Sequence, residues 1–258
     1  MRRVLIISPH SPPINAADMH RIRHSLPYYE EYGWRSTVLA VDPDAVEGSR
    51  DPLLLETVPD DADVRHVDAF SKRWTRRLGI GNPALRSFLQ YARTGSSLLA
   101  SGEYDLVYFS TTQFPIAVLG RYWKARFGVP YVIDVQDPWL SDHLVEGPEE
   151  EQLPKAQWAY RMHRVLEPMA MGNVDGIIAV SQGYCDTLVR RYDNVTHEMC
   201  SVIPFGAAQG DFKVLDRVDI ENPFFDSDDD AINIVCVGRA GHDMATAARG
   251  IFTALAKG

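Results

Sequence analysis

Carboxylate and aromatic side chains follow one of the short apolar segments of this sequence. Asp137, Pro138 and Trp139 come almost directly after the apolar segment 131–135. A carboxylate accepts hydrogen bonds from hydroxyl groups, and an aromatic face packs against the CH groups of a sugar. This combination favours a hydroxyl-rich ligand that contacts Asp137 and Trp139. The alternative interpretation is an Asp-Pro turn with Trp139 buried in the core.

The loop after the first apolar segment offers further polar groups. Residues 8–18 form a loop long enough to cover a ligand, and it contains Asn15 and Asp18. The glycine pattern of a dinucleotide site is missing from it, which argues against an NAD enzyme. Arg21 or Arg23, in the first turns of the next helix, is placed to face an anion. A position on a solvated helix face explains either arginine equally well.

A serine stands between another apolar segment and the helical pattern that follows it. Ser181 comes after residues 176–180 and is predicted to cap a helix. The free amide groups at the start of a helix suit a phosphate or a sugar hydroxyl. Capping without any ligand is the alternative interpretation of Ser181.

Short apolar segments alternate with longer amphipathic ones along the chain. This alternation is typical of an α/β protein with a Rossmann-like, doubly wound parallel sheet, whose ligands bind beyond the carboxyl ends of the strands. The predicted strands are 4–7, 36–41, 64–67, 106–109, 131–135, 176–180, 201–203 and 232–237. The predicted helices are 17–32, 83–101, 114–127, 154–171, 183–192 and 244–256.

The composition changes late in the chain, which predicts three parts. Residues 1–206 contain a complete Rossmann-like domain, and residues 207–231 form an acidic interdomain connection rich in Asp. Residues 232–258 then supply the first strand and helix of a second Rossmann-like domain. One such unit cannot bury both of its faces, so we expect more chain or a partner.

The overall composition excludes several classes of function. A formal net charge of −9 and an isoelectric point near 5.3 argue against a nucleic-acid-binding protein. Cys185, Cys200 and Cys236 have no metal-ligand spacing, and the histidines show no metal-binding pattern. No apolar segment is long enough to span a bilayer. We therefore expect a cytoplasmic protein without a metal site or another cofactor.

One basic cluster stands out in this acidic chain. It consists of Lys72, Arg73, Trp74, Arg76 and Arg77. Such a cluster can contact anionic lipid headgroups, which would place the protein at the inner face of the membrane. A solvated loop is the alternative interpretation.

Five segments, taken together, resemble a known family. Their order is similar to that in glycosyltransferases of the GT-B fold, specifically the family-4-like retaining enzymes. They are Pro-Pro at 12–13 before an Arg-bearing helix, Asp-Pro-Trp at 137–139, Asp-Gly-Ile-Ile-Ala-Val-Ser at 175–181, Val-Ile-Pro-Phe-Gly at 202–206 and Val-Gly-Arg at 237–239. The resemblance covers essentially the whole chain.

The resemblance implies a metal-independent enzyme that moves a sugar from a nucleoside-diphosphate sugar to a hydroxyl acceptor, in glycan, polysaccharide or lipid-linked saccharide synthesis. It places the acceptor on the N-terminal domain and the donor on the second, where Gly238 and Arg239 would contact the diphosphate. Asp137 is then the catalytic candidate. The candidate acceptor-binding residues are Asn15, Asp18, Arg21, Trp139 and Ser181.

The sequence also departs from the family. Gln136 stands where many relatives have a histidine, and the lysine that often follows the Val-Gly-Arg motif is missing. The family's Glu-containing donor motif lies further along the second domain than Gly258, so we expect little or no activity from this chain alone. The alternatives are a non-catalytic glycan-binding or scaffold half of a split protein, and a nucleotide-sugar epimerase of the same fold.

Overall fold

A computed structural model describes residues 1–75, 80–140, 154–218, 232–235 and 244–256. The chain divides into two compact units, Met1–Arg217 and Val218–Gly258. The sheet and its surrounding helices belong to the first unit.

The first unit is built on a parallel sheet. Among the described residues it has seven strands in the order β3-β2-β1-β4-β5-β6-β7, and every neighbouring pair is parallel. The strands are β1 Arg2–Ile7, β2 Trp34–Val41, β3 Asp63–Val67, β4 Leu106–Ser110, β5 Tyr131–Val135, β6 Gly176–Ala179 and β7 Cys200–Val202. The predicted α/β class with a doubly wound, Rossmann-like sheet is confirmed.

Helices connect the strands at most of the predicted places. They are α1 His20–Ser25, α2 Lys72–Thr75, α3 Pro83–Arg86, α4 Phe88–Leu99, α5 Val118–Phe127, α6 Pro154–Met171, α7 Gln182–Arg191, α8 Gln209–Leu215 and α9 Ala245–Leu255. The helix predicted over 17–32 is wrong as one continuous element. Only α1 is α-helical there, flanked by 3-10 turns, because Pro27 cannot donate a helical hydrogen bond and Gly33 ends the segment with a φ of 76°.

Both faces of the sheet are buried, but by different partners. Leu5 and Ile7 of β1 point into the larger core, which α4, α5, α6 and α7 cover. Val4 and Ile6 point to the opposite face, where Ile22 of α1 packs against them. Since successive strand residues face opposite sides, an unbroken apolar strand is what this arrangement requires.

Two further segments differ from their predicted structure. The predicted connection 207–231 begins with the helix α8, which belongs to the first unit because Asp211 pairs with buried Arg23. Residues 232–235 lie outside regular secondary structure, where the sequence predicts a strand, and within the described part of the chain they pair with no other strand. The second unit contains α9 at its predicted place. The division at 206 and 231 stays a prediction.

Candidate functional site

The strand order places a crevice beside β1 and β4. These strands are neighbours, but the chain leaves β1 towards β2 and leaves β4 towards β5, on the other side. Ligands of open α/β sheets bind at such a switch point, beyond the carboxyl ends of the strands. Three segments meet there: the loop 8–18 after β1, residues 111–113 after β4 and residues 136–140 after β5.

Asp18 is the centre of a hydrogen-bond cluster in this crevice. It is only 2% exposed. Its Oδ1 lies 2.7 Å from Nδ1 of His10, and its Oδ2 accepts hydrogen bonds from the Thr111 hydroxyl at 2.8 Å and the Thr112 amide at 3.3 Å. Burial raises the pKa of Asp18, but the bonds from His10, Thr111 and Thr112 outweigh it, so the pKa lies below its ordinary value. Asp18 is therefore an ionised acceptor.

The ionised Asp18 fixes the orientation and the tautomer of His10. Because a carboxylate can only accept, Nδ1 of His10 carries the proton of their hydrogen bond. In the neutral ring, Nε2 is then the nitrogen with a free lone pair. A histidine held in this way can accept a hydrogen bond, or a proton, from a hydroxyl group.

A second cluster surrounds Asp134, at the end of β5. Asp134 is completely buried and lies opposite Ser110 of β4 in the sheet. Its Oδ2 accepts hydrogen bonds from the Ser110 hydroxyl at 2.8 Å and from Nε2 of Gln136 at 2.9 Å, and it lies 2.7 Å from Nε of Arg21. Burial raises the pKa of Asp134, and Arg21, Gln136 and Ser110 only limit the rise. Its Oδ1 has no hydrogen-bond partner among the described residues.

Gln136 links the two clusters. Its side-chain amide contacts the Asp18 carbonyl at 3.3 Å, the Ser110 hydroxyl at 2.9 Å and the Asp134 carboxylate at 2.9 Å. The residue is buried, so these contacts are shielded from water. Gln136 therefore ties the first loop to the end of β5.

Asp137, the next residue, has the opposite character. It is exposed, and its carboxylate forms no hydrogen bond or ion pair with any residue that the structure describes. Enough protein still surrounds the carboxyl group for desolvation to raise its pKa, and the charge of Asp18 adds to this effect. Asp137 is thus a carboxylate at the mouth of the crevice that a ligand can reach.

A cavity lies beyond the ends of β5 and β6. Its volume is about 480 Å³, and Pro138, Trp139, Ser181, Tyr184 and Arg190 are among the residues that line it. Cavities of this size hold small organic ligands. The structure thus brings Trp139 and Ser181 to one place.

The family of the chain follows from comparison with known sequences. Residues 20–206 match the model of the glycosyl transferase 4-like domain. The chain belongs to this family. The matched region contains α1 and the crevice residues 111–113 and 136–140, and the resemblance to GT-B, family-4-like glycosyltransferases is confirmed. No curated protein sequence matches the chain.

Solved structures are similar to this glycosyl transferase 4-like domain at low identity. UGT2 of Phytolacca americana, in its apo form, has a TM-score of 0.51 at 10% identity, over 84% of this chain and 55% of that one. HepE of Anabaena in complex with UDP-glucose has a TM-score of 0.47 at 18% identity, over 80% of this chain and 44% of that one. The chain therefore spans about half of these two proteins. The likeness to UGT2 shows the shared fold.

Two of the predicted acceptor-binding residues, Arg21 and Trp139, form contacts with other residues of the protein. Nε of Arg21 faces Asp134, its Nη2 donates a hydrogen bond to the Ile203 carbonyl at 2.8 Å, and its guanidinium lies 4.7 Å from the centre of the Phe205 ring. These contacts join β5 to the segment after β7. The anion that Arg21 faces is therefore the Asp134 carboxylate of the protein itself, because burial requires the cation to be paired. The contact of Arg21 with an acceptor stays a prediction.

The environment of Trp139 agrees better with a residue buried in the core than with an open aromatic face that packs against a sugar. It is 6% exposed, its ring stacks on Phe114 at 5.4 Å, and its Nε1 donates a hydrogen bond to Nδ1 of His163 at 2.6 Å. Burial lowers the pKa of His163, which favours the neutral ring that this bond requires. The ring face on Phe114 is thus closed to a sugar, and only the rest of Trp139 lines the cavity.

The remaining predicted contacts of the domain lie at the surface. Ser181 occupies the cap position of α7, as predicted, but its side chain forms no capping hydrogen bond. Asn15 is exposed, and its backbone amide donates to the Ser49 carbonyl at 2.7 Å. This bond fixes the loop 8–18 against residues 49–51, with Ile14 and Arg50 bridged between them.

Some predicted contacts lie outside the described residues. They are Gly238 and Arg239 on the donor side and Arg76 and Arg77 of the basic cluster. In the rest of that cluster, Lys72 forms an ion pair with Glu47, and Trp74 is exposed.

Sequence reasoning missed the pairing of His10 and Thr111 with Asp18. A signal was present, because His10 and Thr111 follow β1 and β4, which are neighbours in a sheet whose strand order reverses there. It also missed the role of Arg23. This residue is buried and donates to both carboxylate oxygens of Asp211, one of them at 2.8 Å.

The described residues contain neither a cluster of metal ligands nor a membrane-spanning helix. No group of three or more His, Cys, Asp or Glu side chains is placed to hold a metal ion in those parts of the chain. No helix among them has the length and apolar character needed to cross a membrane.

Proposed function

We propose that the chain is the acceptor-side part of a glycosyltransferase that moves a sugar from a nucleoside-diphosphate sugar to a hydroxyl acceptor. The family match over residues 20–206 supports it most directly. In the reaction the bond from the anomeric carbon to the diphosphate breaks and a bond to the acceptor oxygen forms. The products are the glycosylated acceptor, the nucleoside diphosphate and a proton.

In this proposal the acceptor lies at the carboxyl ends of β1, β4 and β5. Asp137 accepts a hydrogen bond from the acceptor hydroxyl, which its exposure and lack of a described partner allow. His10, held by buried Asp18, offers Nε2 to a second hydroxyl. Asp18 acts through His10 and does not touch the acceptor itself, because it is buried. Ser181 and the cavity beside Trp139 hold a further part of the acceptor.

The donor side and the stereochemistry rest on the family resemblance. We propose that Gly238 and Arg239 contact the donor diphosphate. We further propose metal-independent transfer with retention at the anomeric carbon, at the cytoplasmic side, to a glycan or lipid-linked acceptor. Lys72, Arg73 and Trp74 stay candidates for a peripheral membrane contact.

Product analysis tests the proposal. The protein in its natural full-length form is incubated with a panel of uridine, guanosine and adenosine diphosphate sugars and mixed hydroxyl acceptors, with and without a metal chelator. We expect release of one nucleoside diphosphate and a glycosylated product whose anomeric configuration matches the donor. Absence of both donor binding and donor hydrolysis across the panel argues against the enzyme, and an altered free nucleotide sugar identifies an epimerase.

The role of Asp137 has its own test in the same assay. Asp137→Asn removes a charged acceptor at the mouth of the crevice and is expected to lower kcat/KM about a hundredfold. Asp44→Asn is the matched control, since Asp44 is an exposed carboxylate that pairs with Arg50 at the surface. Equal activities of the two variants would exclude Asp137 from the site.

A further inference from the structure

The neighbouring helices α4, α5 and α6 of the first unit have almost no acidic residues. Of the 35 Asp and Glu residues in the chain, only Glu167 occurs in α4, α5 and α6. Glu167 is buried and accepts a hydrogen bond from Nη1 of Arg191 at 2.8 Å. The outer surface of these helices therefore has no exposed carboxylate among the side chains that the structure describes.

The same surface carries five exposed arginines. They are Arg93 on α4, Arg121 and Arg126 on α5, and Arg161 and Arg164 on α6. Within the described chain none of the five pairs with a carboxylate. In a protein whose net charge is −9, this is a local surface of opposite sign.

Large apolar side chains are exposed between these arginines. They are Leu89 on α4, Tyr122 on α5, and Trp158, Val165 and Met169 on α6. The five arginines and these five residues are named the basic-apolar face here. On α6, Trp158, Val165 and Met169 are spaced by seven and four residues, so they share one side of the helix.

The members of this face are close in space as well as in helix order. Trp123 of α5 packs so tightly on α4 that a Cβ on Gly95 would lie 2.3 Å from its ring. Nη1 of Arg121 would lie 3.3 Å from a Cβ on Gly172, directly after the end of α6. This position brings Arg121 of α5 to the end of α6 where Met169 lies. The three helices thus form one continuous surface.

We propose that the basic-apolar face binds the surface of a bilayer that contains anionic phospholipids. Cations without carboxylates match anionic headgroups, and Trp and Tyr favour the boundary between headgroups and acyl chains. A polyanion such as a nucleic acid would satisfy the arginines but not the exposed Trp158, Val165 and Met169. The site differs from the Lys72 cluster, where Lys72 already pairs with Glu47, and it does not depend on the proposed enzyme activity.

Vesicle binding tests this surface directly. The 258-residue chain is sedimented with vesicles of phosphatidylcholine mixed with phosphatidylglycerol, and with vesicles of phosphatidylcholine alone. We expect binding only to the mixed vesicles, weakened by added salt. The sequence before α6 is acidic, with Asp142 and Glu146, and the net charge of the whole chain is −9. Binding to anionic vesicles must therefore come from the local positive charge of the basic-apolar face, so variants of that face are the decisive test.

Three variants separate charge, apolar contact and position. Combining Arg121→Gln, Arg161→Gln and Arg164→Gln should weaken binding about a hundredfold, since each arginine near an anionic surface contributes about fivefold. The same three positions changed to Lys should keep most of the binding. Trp158→Ala should weaken it at least about threefold without changing the response to salt.

The matched control changes Arg50 and Arg65 to Gln and should bind like the unchanged chain, because these exposed arginines already pair with Asp44 and Asp63. Unaltered circular dichroism and urea midpoints exclude misfolding of each variant. The proposal is overturned if the chain does not sediment with mixed vesicles, if the triple Gln variant binds normally, or if the control loses binding instead. Tighter binding to heparin than to vesicles, unaffected by Trp158→Ala, would show a polyanion site and would also overturn it.

Discussion

Asp18 and Asp134 are both buried carboxylates beside the ends of the central strands, yet their pKa values shift in opposite directions. Asp18 accepts hydrogen bonds at both oxygens, from His10 on one side and from Thr111 and Thr112 on the other. At Asp134 the Ser110 hydroxyl and the Gln136 amide both donate to one oxygen, and the other has no partner among the described residues. Burial is therefore compensated at Asp18 and incompletely compensated at Asp134.

This difference separates an orienting carboxylate from a structural one. Asp18, at the end of the loop 8–18, holds His10 of the same loop, and Nε2 of His10 stays available. Asp134 faces the interior and holds Arg21, which in turn reaches the Ile203 carbonyl. Changes at Asp134 should therefore act mainly on folding, whereas changes at Asp18 should act on both folding and the site.

The largest expected effect comes from removing the structural carboxylate. Asp134→Ala leaves the guanidinium of Arg21 without its partner in a nearly water-free position. Breaking a buried ion pair from one side costs about 3–5 kcal/mol, so the free energy of unfolding should fall by that amount. Urea denaturation followed by tryptophan fluorescence measures it.

The double variant Arg21→Met and Asp134→Ala is the matched control for this change. It removes the stranded cation, so it should recover a large part of the lost free energy of unfolding. A double variant that is no more stable than Asp134→Ala would show that the ion pair is not the source of the effect.

Removing the orienting carboxylate should have a smaller effect on stability. Asp18→Ala leaves Nδ1 of His10 and the Thr111 hydroxyl without their acceptor, which costs about 2 kcal/mol. It also frees the His10 ring to rotate, so transferase activity should fall more than stability does. Urea denaturation and the product assay measure the two effects on the same sample.

Asp137→Ala is the comparison for Asp18→Ala. Asp137 is exposed and has no described partner, so its removal should change the free energy of unfolding by less than about 0.5 kcal/mol. Activity should still fall if Asp137 contacts the acceptor. A destabilisation by Asp137→Ala as large as that by Asp18→Ala would contradict the description of Asp137 as an exposed carboxylate without a partner.

The strands could be predicted from the sequence because their apolar residues are contiguous. The segment 131–135 has the same bounds in the prediction and in the structure, since burial on both faces leaves no ambiguity. The helix over 17–32 could not be predicted correctly, because its apolar pattern continues through Pro27 while its hydrogen bonds do not. The burial pattern of a segment is thus easier to predict than an interruption of its backbone hydrogen bonds.

The location of the site could be predicted from the sequence, but the pairing of its side chains could not. The rule that ligands bind beyond strand ends identifies Asp18 and Asp137 from their positions. It does not reveal that Arg21 pairs with Asp134, because both residues lie far apart in sequence and their contact depends on the register of β4 and β5. The aromatic face of Trp139 predicts a sugar contact, which the stacking of the ring on Phe114 restricts.

The smallest expected effect is on the pH dependence of stability, where the two carboxylates should act with opposite signs. The pKa of Asp18 is lower in the folded protein than its ordinary value of 3.8, so Asp18 stabilises the fold above that pH and loses this effect as the pH falls. The pKa of Asp134 is raised above 3.8, so its contribution is largest at low pH and declines as the pH rises through the folded pKa.

Urea midpoints of the Asn variants between about pH 3 and pH 7 separate these two signs. Asp18→Asn should flatten the loss of stability on the acid side, and Asp134→Asn should make stability rise more steeply with pH above 3.8. The pKa values of His20 and His24 are lowered by burial and by Arg23, so both histidines also destabilise the fold as the pH falls below 6.5. This contribution cancels in the difference for Asp134→Asn but only partly in that for Asp18→Asn, because the charge of Asp18 raises the pKa of His20. Slopes that change in the same direction in both variants would show that the two carboxylates are equivalent, and the distinction between an orienting and a structural carboxylate would then fail.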